Sequence, residues 1–109
     1  MKTDRELLVD AARAAGIGLV AWTKFFDEWK FACNPCGEPW NPLIEDGDAF
    51  RLAVKLNLTI GKDIRSDDAG VIWLQENELR RISEPYGGDP YAATRRAIVR
   101  AAAEIGGAA

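Results

Sequence analysis

The sequence predicts one α+β domain spanning residues 1–109, with three helices packed on a small, mainly antiparallel sheet of three to four strands, sandwich-like. Three observations predict it. Capped, alanine-bearing helical patterns stand near both ends of the chain, a third helical pattern lies in the middle, and residues 71–83 alternate around a short turn. With 109 residues, 48% apolar and 28% charged, the chain has the size and composition of a single hydrophobic core, and disordered and collagen-like classes are excluded.

The first element is a helix from about Asp4 to Ala15. Thr3 and Glu6 form a T-x-x-E capping box, in which each residue satisfies an exposed backbone donor of the other. Leu7, Leu8, Ala11, Ala12 and Ala15 share one face, and Gly16 supplies a left-handed C-cap. Residues 17–40 have no clean period. Trp22, Phe25, Phe26 and Trp29 would share a helical face, whereas Trp29 and Phe31 would share a strand face. An irregular or helical turn over 22–27 and a strand near 28–32 fit this composition best, with N-P-C-G-E-P as a following turn.

A second helix, capped by Asp46 or Asp48, runs to about Leu56, with Ala49, Leu52, Ala53 and Leu56 on its core face and Asn57 as left-handed terminator. Leu58 and Ile60 alternate around Thr59, and K-D-I-R-S-D-D-A-G reads as a polar linker. Residues 71–75, V-I-W-L-Q, have strand composition, and 79–83 pair back across Glu76-Asn77. Gly87 and Gly88 break the chain, Asp89 caps, Pro90 takes the first helical position, and the last helix runs to about Ile105, closed by Gly106. The expected core comprises Leu7, Leu8, Ala11, Leu52, Leu56, Ile60, Ile72, Leu74, Ile98 and Ile105, with Trp40 and Tyr91 buttressing the loops before the second and third helices.

Composition removes several function classes. The chain has no histidine, which excludes Ser-His-Asp and Cys-His catalysis and histidine metal sites. The net charge is −3 with a pI near 4.9, and the balance is uneven. Residues 1–50 hold 5 basic and 9 acidic groups, and residues 51–109 hold 9 and 8. An acidic domain is repelled by phosphate backbones, so nucleic acid is disfavoured as a partner. No apolar run approaches the roughly 18 residues of a membrane helix, so no membrane association is expected. The charged M-K-T-D-R-E start is not a signal peptide.

Four groups of residues carry possible chemistry. Cys33-Asn34-Pro35-Cys36 is a C-x-x-C, the spacing of a zinc-ligating or redox-active pair, but its Ala32 and Gly37-Glu38-Pro39 flanks favour two thiols in a turn. One chain offers no further Cys or His, so zinc would need carboxylates such as Glu38 or a second subunit. The segment from Trp22 to Phe50 holds 7 of the 10 aromatics. These build a core or an exposed binding patch, with Trp22 and Trp29 as candidate binding residues. Gly87-Gly88-Asp89-Pro90 opens a helix carrying Arg95, Arg96 and Arg100. Glycines before a helix N-terminus can bind an anion, but Asp89 is placed to occupy that end itself. Arg96 and Arg100 share a face and are placed to meet the acidic N-terminal half of this chain or a partner. Glu45, Asp46 and Asp48 lack the EF-hand pattern and read as capping residues in a solvated loop.

The blocks W-N-P-L-x-x-D-G-D-A-x-R-L-A-x-K-L (from Trp40) and D-P-Y-A-A-T-R-R-A-I-V-R-A-A (from Asp89), with the first helix ending A-A-R-A-A-G, resemble small uncharacterised proteins encoded by bacteriophages and prophages. Together they cover around half of the chain. The resemblance implies an αβα-sandwich domain in the cytoplasm of a bacterial host. That family has no assigned biochemical activity, so no catalytic residues carry over, and residues 28–39 depart from its pattern. The expected function is therefore a non-enzymatic accessory protein that binds a host or phage protein, or a second copy of itself. A metal or redox module at Cys33 and Cys36, and nucleic-acid binding by the arginine face, are the competing readings.

Overall fold

The computed structural model describes residues 2–25, 28–34, 39–62 and 66–107. Its class is α+β. Among the described residues there are three helices and six strands, the strands forming two antiparallel three-stranded sheets rather than one sheet of three to four.

The capping box starts α1 (Asp4–Ala15): Glu6 N–H donates to Thr3 Oγ1 at 3.2 Å, and Thr3 N–H donates to Glu6 Oε1 at 3.0 Å. The Thr3 backbone N–H, with the Thr3 hydroxyl and the charge of Lys2, holds the Glu6 carboxyl below its ordinary value of 4.5. The stabilisation it gives is complete above that pH and fades as pH falls through the lowered value. Gly16 ends α1 at φ 71°, the left-handed geometry expected of it.

The aromatic-rich segment is extended where a turn was expected. Strand β1 (Gly18–Phe25) pairs antiparallel with β2 (Glu28–Asn34), and β2 pairs with the short β3 (Pro39–Trp40). Branched and aromatic side chains fit a pleated surface, and that preference overrides the accidental helical spacing of the rings. After α2 (Asp46–Lys55), Asn57 turns the chain at φ 55° into the second sheet. There β4 (Thr59–Lys62), β5 (Asp68–Gln75) and β6 (Glu78–Pro85) form a meander. The supposed linker thus contributes its first residue to β4 and its last three to β5. The β5–β6 turn is the expected Glu76-Asn77 pair, both at positive φ, 52° and 64°, as a two-residue hairpin demands.

The face that β5 turns inward is the opposite of the one expected. Ala69, Val71 and Trp73 are buried, whereas Ile72 is 37% and Leu74 67% exposed, and Leu79 opposite Leu74 is 75% exposed. V-I-W-L is apolar at both parities, so alternation alone cannot say which side meets the core. Ile60 pairs with Val71 but lies on the edge strand and stays 39% exposed. Tyr91 is 72% exposed and buttresses nothing; Trp40, at 7%, is buried as expected. Leu8, Ala11, Leu52 and Ile98 are buried, with Leu7, Leu56 and Ile105 packed partly against them.

Helix α3 (Pro90–Gly107) is the hub, with α1, α2, β5 and β6 all packed on it. Asp89 caps it as expected, accepting from the N–H groups of Tyr91 and Ala92 at 3.0 and 3.1 Å. Arg96 lies beside Asp4 and Gly106 beside Asp10 and Ala14, so α1 and α3 run in the same direction. Gly106 does not close the helix, which continues through it. Its role is steric: a Cβ there would sit 2.9 Å from the carbonyl carbon of Asp10 and 3.0 Å from the nitrogen of Ala14.

Two stability measurements check this packing. Helix propensity alone favours alanine over glycine by about 1 kcal/mol, yet Gly106→Ala is expected to lose about 2–3 kcal/mol in urea unfolding because two backbones must separate. Gly88→Ala, where a Cβ meets nothing within 4 Å, is the control. A neutral Gly106→Ala would mean the helices sit further apart than described. For β5, Val71→Ala should cost about 1–3 kcal/mol and Leu74→Ser less than about 0.5 kcal/mol; the reverse order would restore the inward face originally expected.

Candidate functional site

Trp40, Phe31, Trp22 and Trp29 form a run of rings along one face of the first sheet. Phe31 pairs with Trp40 on one side and with Trp22 on the other. The Trp22 and Phe31 centroids are 4.8 Å apart at 58°, and Trp22 stacks on Trp29 at 6.1 Å and 12°. Burial falls along the run: Phe31 and Trp40 are in the core, Trp22 is half-buried, and Trp29 is 49% exposed. A buried core end and an exposed aromatic end are thus parts of one cluster.

Asn41 holds the loop that faces these rings. Its backbone N–H donates to Asp48 Oδ2 at 3.0 Å, its side-chain Nδ2 donates to the Trp29 carbonyl at 2.9 Å, and its Oδ1 accepts from Leu43 N–H at 2.9 Å. Its own carbonyl accepts from Ile44 and Glu45. Every polar group of this buried residue is used, which is what makes its burial tolerable. Asp48 therefore does not cap α2. The N-cap is Glu45, without a side-chain cap bond, and Asp48 is buried, bound to Asn41 and at 2.7 Å to Arg51. Asp46 pairs instead with Arg95 at 2.7 Å.

Lys30 ties the loop to β2 a second time, donating to Glu45 Oε1 at 2.9 Å. That bond, with the charges of Glu45, Glu28 and Asp48 outweighing partial burial, raises the amine above its ordinary 10.5. The contribution is complete below that pH and is lost as pH rises through the raised value.

Between hairpin and loop lies a cleft of about 270 Å³ lined by Trp22, Trp29, Leu43 and Ile44, with the carboxylates of Asp4 and Glu28. Asp4 sits in the first turn of α1 and accepts from Arg96 Nη1 at 3.0 Å. Beyond it a second cleft of about 430 Å³ is lined by Lys2, Leu7, Glu84, Arg96 and Arg100. Arg100 is paired with Glu84 and donates to the Ser83 carbonyl at 3.3 Å, and Arg96 Nε lies 3.9 Å from Glu84. The four candidate binding residues thus occupy two neighbouring clefts joined through Asp4. Both arginines meet carboxylates of this chain, Asp4 and Glu84.

Cys33 lies in β2 opposite Leu19; Cys36 lies outside the described residues. Among the described residues no group of three or more Cys, Asp or Glu is placed to hold a metal ion, and no helix is long and apolar enough to cross a membrane. No family model, curated protein or solved structure matches the chain.

Asn41 and Asp48 were not singled out as partners by sequence. The available signal was Asn41-Pro42, a turn-forming pair, with an aspartate seven residues on. Asp48→Ala leaves the Asn41 N–H buried without its acceptor. An expected loss of about 1–3 kcal/mol in thermal or urea unfolding should come with a changed environment at Trp29, read from indole fluorescence. Full stability in that variant would remove the Asn41–Asp48 bond from the account of the loop.

Proposed function

We propose that this chain is a non-enzymatic interaction domain, an accessory protein of the phage type its sequence resembles, acting in the bacterial cytoplasm. It binds a host or phage protein at the end of the β1–β2 ladder where Lys24 pairs with Trp29 and Phe25 with Glu28. One observation carries this reading: Trp29 is 49% exposed at the mouth of a cleft, while Trp40 and Trp73 are 7% and 3% exposed. A half-exposed indole stacked on a second indole is the kind of large, rigid side chain that dominates protein interfaces once water is excluded from it. Asn41 and Lys30 hold the surroundings of that ring in place, so little conformational freedom is lost on binding.

The test is affinity capture of host and phage proteins by the intact chain and by Trp29→Ala, with Leu79→Ala as a more exposed apolar control on the other sheet. Trp29→Ala should weaken the captured complex at least about 30-fold, the size of a hot-spot loss, with unchanged unfolding temperature. Capture that survives Trp29→Ala would move the docking surface elsewhere. A solution mass of two chains, lost in the same variant, would make the partner a second copy.

A further inference from the structure

We infer that the Trp22–Trp29 cleft receives an arginine side chain of the partner, and this rests on the interaction reading above. At about 270 Å³ the cleft is at the lower bound of small-molecule pockets, roughly 300 Å³, and suits one long side chain. Among the described residues its lining combines two indoles, the apolar Leu43 and Ile44, the already hydrogen-bonded Asn41, and one sign of charge, Asp4 and Glu28.

That combination matches a guanidinium. Its plane stacks on an indole face, where the ring quadrupole attracts a cation. Its fork of five N–H donors suits carboxylates, which a compact ammonium cannot bridge in the same way. The aliphatic stem would run along Leu43 and Ile44.

Both carboxylates keep acceptor capacity. Arg96 donates to Asp4 through Oδ1, and a carboxylate has about four acceptor positions. Glu28 lies 3.9 Å from Lys30 Nζ, beyond hydrogen-bond reach, and Lys30 is bonded to Glu45. The side chains of Asp4 and Glu28 are 61% and 54% exposed, so an incoming cation reaches them without opening the fold. Lys24 stands opposite Trp29 in the β1–β2 ladder but does not line the cleft. An acidic side chain, by contrast, would meet two carboxylates and no cation among the described lining residues.

The experiment is a titration of the intact chain with N-acetyl-argininamide, followed through the indole N–H resonances, with the lysine and glutamine analogues as comparisons. The arginine probe should shift the Trp29 and Trp22 signals saturably, half-complete on the order of 1 mM for a ligand of this size. The lysine analogue should bind more weakly and the glutamine analogue should give no saturable shift. Glu28→Gln should weaken the arginine probe about threefold without changing the unfolding temperature. Equal responses to the glutamine analogue, or an unaltered response in Glu28→Gln, would overturn the inference. Partner capture that depends on Trp29 without any response to the arginine probe would end this inference while leaving the interaction reading standing. Capture independent of Trp29 would end the interaction reading itself.

Discussion

The close approach of α1 to α3 is the constraint on which the other contacts depend. At Gly106 one helix meets the backbone of the other with no side chain between them, and both helices bury alanines: Ala11, Ala12 and Ala15 on α1, Ala97 and Ala101 to Ala103 on α3. Small side chains let two helices approach closely, and the close packing supplies in dispersion contacts what the alanines lack in area. Because α2, β5 and β6 also pack on α3, its position relative to α1 sets that of the second sheet and of the central helix.

The candidate site inherits its geometry from that frame. The α1 start brings Asp4 to the edge of the aromatic cleft, and Arg96, one face of α3, holds it there. The opposite boundary is set by a different device, Asn41, whose backbone and side-chain bonds join the loop to β2 and to α2 at once. The exposed indole of Trp29 is therefore framed by a helix end, a loop and a sheet. Each is fixed by interactions that do not involve the ring itself.

Much of this was legible in the sequence where local chemistry dictates local structure. The capping box, Gly16, Asn57, the Glu76-Asn77 turn and Asp89 with Pro90 act through backbone groups a few residues away, so short patterns suffice. What was not legible depends on distant partners. The inward parity of β5 is decided by what α3 offers to Val71 and Trp73, because both of its faces are apolar. The division of strands into two sheets depends on where α2 and α3 lie. Gly106 reads locally as a helix end and acts as a contact with residues nearly a hundred positions earlier. At the site, Trp22 and Trp29 stood out by their mass. The roles of Asn41 and Asp48 were hidden because a buried hydrogen-bond partner leaves no periodic mark.

The α1–α3 seam also joins segments that lie far apart in the chain. The β5–β6 hairpin closes over a two-residue turn and needs no remote partner, whereas Asp4 and Arg96 are 92 positions apart. An isolated helix of 12 residues is marginal in water, so the alanine face of α1 stays unmatched until α3 exists and docks. That docking closes the largest loop in the chain and bears the greatest entropic penalty. Without it the buried alanine face of α1 and the α3 surface on which α2, β5 and β6 pack would lose their common frame.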